Sequence, residues 1–264
     1  MKLSVKALMA IVILFGSTIA VLGQTSKNVT LNINNMVGDR PLVLNEQTYT
    51  NSLGEKFNIT TMNYFISNIR FRRKDRSEYV VPQDSSYFLV REVDSTTKKI
   101  NLTVPEDEYT AITFMIGVDS LRSTSDLKHR AGALDISGGM IDGMYWTWNS
   151  GYIFFKLEGT CEAAKVDMTG QRKFRYHIGG FGGYNKPSLN NLKVVTIDLS
   201  EQGIVDTKKK KHATVNFQAD ALKVFNGKTQ MSIAKDSNVM FGNLSKSVAD
   251  NYSAMFSHVS TSNK

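Results

Sequence analysis

The chain predicts an all-β fold: a two-layer antiparallel β-sandwich with a short C-terminal helix. Three observations carry that expectation. Apolar and polar residues alternate with a period of two along many short stretches. Clusters of Gly, Asn, Asp, Ser and Pro punctuate those stretches as turns. A helical period is sustained only near the end of the chain. Many short strands with few helices are accommodated by packing two sheets face to face.

Taken in order, residues 1–23 come first. Lys2 and Lys6 precede an apolar run from Ala7 to Phe15 and then small residues, with Val21 and Gly23 at the small positions of a cleavage site. That layout is an export signal cut after Gly23. The apolar core is too short to favour a spanning helix, and no later segment reaches that length. Residues 24–264 show no linker and no internal repeat, so they are read as one domain. The expected location is the periplasm or the cell surface.

Val29, Leu31 and Ile33 alternate with Thr30, Asn32 and Asn34, which marks the first strand. Tyr64 to Phe71, Tyr87 to Val90 and Ile100 to Val104 follow, rich in β-branched and aromatic residues. Ile112, Phe114, Ile116 and Val118 repeat the alternation, as do Val195, Ile197 and Leu199, and then Ala213 to Ala219. Between 152 and 157, Ile153, Phe155 and Leu157 oppose Tyr152, Phe154 and Lys156, so this strand is apolar on nearly both faces and central. Trp146 and Trp148, the only tryptophans, stand two residues apart and leave the same face of an extended strand. A helical turn is expected at Asp220–Phe225, stopped by Asn226-Gly227. From Asn243 onward, Leu244, Val248, Tyr252, Met255 and Phe256 recur at helical spacing.

Charge excludes little but narrows the partners. Removing residues 1–23 takes away two lysines and no acid, so the formal charge falls from +8 to +6. Lys208 to Lys211 form one basic run, read as a solvated turn. Aromatics are not interleaved with it, which argues against a nucleic-acid stacking surface. Cys161 is the single cysteine, so an internal disulfide is impossible and a small buried side chain is the expected role.

Few residues offer chemistry. In Lys173-Phe174-Arg175-Tyr176-His177, the aromatics share one face and His177 shares the other with the cations, just before the glycine-rich 179–183 turn. A neutral imidazole placed there is a good copper or zinc ligand. His129, His212 and His258 are read as surface residues. Asp119, Asp126, Asp135 and Asp142 line a long excursion and could give oxygens to calcium, although their spacing matches no EF-hand loop. Met140 and Met144 are soft donors near the tryptophans. No HExxH, Cys-x-x-Cys, nucleophile elbow or Walker loop is present, so the chain is read as a binder and not an enzyme.

These residues carry a resemblance. Gly143-Met144-Tyr145-Trp146-Thr147-Trp148-Asn149-Ser150-Gly151-Tyr152 is similar to the signature of the MbnP-like exported copper-binding proteins. Tyr64–Ile69, Gly117–Ser120, Gly132–Asp135, Tyr176–Gly179 and Ala249–Phe256 match in order. The resemblance implies an exported all-β protein that holds Cu(I). In that family a tryptophan is oxidised to kynurenine by a dihaem peroxidase-like partner, and the new amine and histidine imidazoles bind the metal. Carried onto this chain, the modified residue is Trp146 or Trp148, and His177 supplies an imidazole. Where a second histidine is expected near the first strand, this chain has Asn34-Asn35-Met36. Met36 then offers a thioether, and Asn35 and Tyr152 line the site. The rival reading is a metal-free surface module that binds a protein or glycan through the 179–184 turn and nearby aromatics.

Overall fold

A computed structural model describes residues 25–136, 143–147 and 151–264. The export signal read in residues 1–23, together with Met140, Asp142 and Trp148, lies outside the described residues. Where described, the chain is all-β. It begins with β1 (Ser26–Val37), β2 (Arg40–Pro41), β3 (Tyr49–Thr50), β4 (Lys56–Arg73), β5 (Glu78–Val80) and β6 (Tyr87–Arg91). Next come β7 (Lys99–Pro105), β8 (Glu108–Ile116), the short α1 (Ser120–Ser123), β9 (Tyr145–Trp146), β10 (Gly151–Cys161) and β11 (Lys173–Gly179). The last elements are β12 (Lys193–Asp198), β13 (Val205–Asp206), β14 (His212–Asp220), β15 (Asn238–Val239), α2 (Asn243–Tyr252) and β16 (Phe256–Asn263).

Two sheets form. The first runs β16-β14-β1-β2, with β7 also on β1. The second runs β12-β8-β4-β10-β11-β15, with short strands added to β4, β8 and β10. Alternation explains the layers: Val29, Leu31 and Ile33 of β1 and Val215 and Phe217 of β14 turn toward Tyr64, Phe155, Leu157 and Tyr176 of the second sheet, and all are buried. Cys161 is buried at the edge of this core. The expected turn after β14 is present at Ala221–Val224, with the Asp220 carboxylate capping the Leu222 amide. Among the described residues, no helix is long and apolar enough to cross a membrane.

Four details depart from the sequence reading. First, the sandwich is not wholly antiparallel: β1 pairs with β14 in parallel, and β11 pairs in parallel with β15. Hydrophobic alternation sets which face is buried but carries no information on strand direction.

Second, α2 is not the end of the fold. The helical spacing continues to Phe256, yet the chain leaves the helix at Ser253 and returns as β16 along β14. Phe256 is inserted between the sheets, edge-on to Phe114 and Tyr64 at centroid distances of 4.9 and 5.8 Å. That aromatic contact outweighs continuing the helix.

Third, the tryptophan run is not one strand. β9 holds only Tyr145 and Trp146, and Trp146 pairs back onto Gly151 as a hairpin. Fourth, β10 is bulged: Ile153 pairs with Gly179 but Phe155 pairs with the adjacent Ile178. The inserted residue breaks strict alternation, so Ile153 joins Tyr152 and Phe154 on the outer side while Phe155 stays inside.

Candidate functional site

The second sheet has a covered outer face. Phe65 of β4 and Tyr152, Ile153 and Phe154 of β10 meet Val118, Leu134, Met144, Trp146 and Phe181 in a second buried cluster. The described part of the excursion after β8, through Val118 and Leu134, forms its lid. Tyr152 is fully buried, donates its hydroxyl to the Leu134 carbonyl at 2.7 Å, and stands edge-on to Phe65 and Tyr145. Burial pushes its phenol up to about 12, with Arg130 opposing. Tyr152 therefore anchors the lid from beneath and does not line an open site.

Trp146 is placed by that lid. Its indole lies across Gly179, where a Cβ would meet the ring at 2.6 Å, and beside Phe241 at a centroid distance of 4.8 Å. A residue without a side chain at 179 is what allows the ring to lie on the sheet. Trp146 is only 7% exposed, yet it lines a cleft of about 240 Å³ together with Gly180, Phe181, Tyr184, Leu189 and Phe241.

His177 stands two residues before Gly179 on the same face of β11, about 7 Å along the strand. It pairs with Lys156 across β10, and its Nε2 reaches diagonally to Glu158 Oε1 at 2.6 Å. Lys156 Nζ is 3.8 Å from the same oxygen. The hydrogen bond from His177 holds the Glu158 carboxyl below its ordinary range, against the effect of burial. With Nε2 donating to the carboxylate, Nδ1 is the nitrogen whose lone pair a neutral ring would offer to a metal; this is how a carboxylate orients an imidazole ligand from behind. No motif in the sequence marks Glu158 or Lys156 for this site. Their alternation in Phe155-Lys156-Leu157-Glu158 marks them as outward, but only the β10–β11 register puts them beside His177.

The first-strand residues go elsewhere. Asn35 is buried on the first sheet, where its Oδ1 accepts from Tyr64 at 2.8 Å and its amide donates to Glu92 at 2.7 Å. Met36 lies next to it in a separate depression with Pro41, Glu92 and Lys98. Tyr64 points to the inner side of β4, whereas Asn63, which pairs with Lys156, points to the outer side. The second sheet thus stands between Asn35 and Met36 on one side and His177 and Trp146 on the other.

The remaining candidates have structural uses. The Asp119 carboxylate caps α1 and accepts from Asn68 and Tyr87, and Asp126 caps the turn at Leu127–His129. Met144 is core, fully buried beneath the lid. His129 is exposed, but His212 and His258 are half-buried, each with Nε2 on a threonine hydroxyl. These two are therefore not the surface histidines expected, because alternating strand positions sink their rings beside the neighbouring threonine. No group of three or more His, Cys, Asp and Glu gathers among the described residues.

No curated protein matches the chain by sequence. The solved structure of MbnP from Methylosinus trichosporium superposes with a TM-score of 0.58 at 15% identity, covering 83% of this chain and 82% of that one. At that identity the likeness speaks to the fold. The family model for MbnP matches residues 26–241, which span both sheets, the lid, the Trp146 hairpin and His177. This chain belongs to the MbnP family.

Proposed function

We propose that this protein is an exported copper-binding member of its family, in which His177 supplies the imidazole and Trp146 the neighbouring ring. The observation that carries the reading is the Glu158-oriented imidazole on the same face as the glycine beneath the Trp146 indole. The donor chemistry fits a soft, low-coordinate cation: one neutral imidazole, plus the amine that oxidation of tryptophan to kynurenine would expose. A dihaem peroxidase-like partner is the proposed oxidant. The Asn35–Met36 pair is not part of this site, because the second sheet intervenes. Bound Cu(I) would supply a stored or delivered metal ion; the protein's own part is to orient His177 and to wall the site with aromatic rings. The protein is read as a binder and not an enzyme.

Two measurements test this. His177→Ala should abolish stoichiometric Cu(I) uptake in an anaerobic competition titration, and unchanged uptake would remove His177 from the site. Intact-mass analysis of protein from the native host should show a tryptophan that has gained one oxygen and lost one carbon. Unmodified tryptophans together with no bound copper would overturn the reading.

One observation favours a second function. The cleft beside Trp146, floored by Gly180 and walled by Phe181, Tyr184 and Phe241, suits a flat apolar or glycan ligand without a metal. Binding of such a ligand that survives His177→Ala would select this reading.

A further inference from the structure

We propose that the end of the sandwich bearing Lys208–Lys211 is a docking face for an anionic phospholipid bilayer. The basic run alone would be an ordinary solvated turn; the structure adds what surrounds it. Lys208 Nζ lies 3.2 Å from Asp107 and 3.8 Å from Glu108. The turn after β4 reaches the same two acids, through Arg73 Nε at 2.8 Å from Asp107 and Lys74 Nζ at 3.8 Å from Glu108. The Lys211 and His212 amides donate to the Lys264 carbonyl at 2.9 and 3.1 Å. Three separate stretches of chain therefore deliver cations to one end.

The acids at that end are already engaged. Glu106 accepts from Thr25 and pairs with Lys27, while Asp75 accepts from the Ser77 hydroxyl and amide. Asp206 accepts from the amides of Lys208 and Lys209. Arg76, Lys209, Lys210 and Lys211 are exposed and, among the described residues, have no carboxylate within ion-pair distance. Clustered cations left over after local pairing are attracted to an anionic surface, an effect that fades within a Debye length.

The leftover charge and the lack of exposed rings at this end favour a bilayer over a nucleic acid. Tyr184 and Phe241, the exposed aromatics among the described residues, sit at the Trp146 cleft, and Tyr79 at this end is packed against the core, so no exposed ring here is offered to nucleobases.

The test is co-sedimentation of the protein, as purified from cells, with vesicles of phosphatidylcholine alone or mixed with phosphatidylglycerol. Binding should require phosphatidylglycerol and be lost at high salt. Replacing Lys209, Lys210 and Lys211 together by Gln should weaken it roughly 100-fold. A control with the same charge change elsewhere, Lys165→Gln, Lys228→Gln and Lys235→Gln, should keep most of the binding; all three are exposed and away from this end. Circular dichroism should show both variants folded. Equal weakening in the two variants, or equal binding to neutral vesicles, would overturn the proposal. So would capture by heparin or DNA without vesicle binding.

Discussion

The inner and outer faces of the second sheet are made from the same strands but do different work. On the inner face, Tyr64, Phe155, Leu157, Tyr176 and Ile178 are sealed against the first sheet and wholly apolar in their packing, apart from two phenol hydroxyls. On the outer face, one half is a small aromatic cluster under the lid, and the other half is the polar set Lys156, Glu158, Arg175 and His177. The inner face resembles any sandwich core and holds the fold together. The outer face tolerates half-buried charge because its partners lie one strand away and the lid shields only part of it. In this molecule stability and the candidate chemistry are thus separated by the thickness of one sheet.

Substitutions on either side can break that separation. The largest effect is expected inside: Phe155→Ala, at a fully buried position against Tyr64 and Tyr252, should cost about 3–5 kcal/mol in chemical denaturation. A cost no greater than that of an outer-face substitution would mean that the two faces are not energetically distinct.

Gly179→Ala should come next, at about 1–3 kcal/mol, because a methyl there collides with the Trp146 ring and the Tyr152 carbonyl, each 2.6 Å from its Cβ. Its particular signature is a red shift of tryptophan emission as the indole is lifted off the sheet. Unchanged emission would show that the ring does not depend on residue 179.

The smallest effect is Glu158→Gln, worth about 1 kcal/mol or less for a carboxylate that is partly exposed. Its value is in the pH dependence. The folded Glu158 carboxyl sits below its ordinary value of 4.5, so its contribution is complete above 4.5 and is lost as pH falls through the lower folded value. The wild type should therefore lose stability to acid more steeply than Glu158→Gln in that window, and parallel acid limbs would show that the His177 hydrogen bond does not hold the carboxylate down.

Much of this was legible in the chain. The period-two stretches mark the strands, and the glycines around the tryptophans mark a place of tight turns and close approach. The outward position of His177 follows from the aromatic alternation before it. What could not be read was any relation between strands. Glu158 is nineteen residues from His177, and nothing local says that they pair. The Asn35–Met36 segment looks equally available to the site until the sheet between them is seen.

Sequence by itself determined which strand positions are apolar and alternate toward a core, that the chain is all-β, and that a helix forms from Asn243, because alternation and helical spacing are local properties of neighbouring residues. Tertiary structure decided the parallel pairing of β1 with β14, the hairpin that separates Trp146 from β10, the bulge that sends Ile153 outward, and the meeting of His177 with Glu158. Each of these depends on register and on contacts between distant segments, where a shift of one residue moves a side chain to the opposite face.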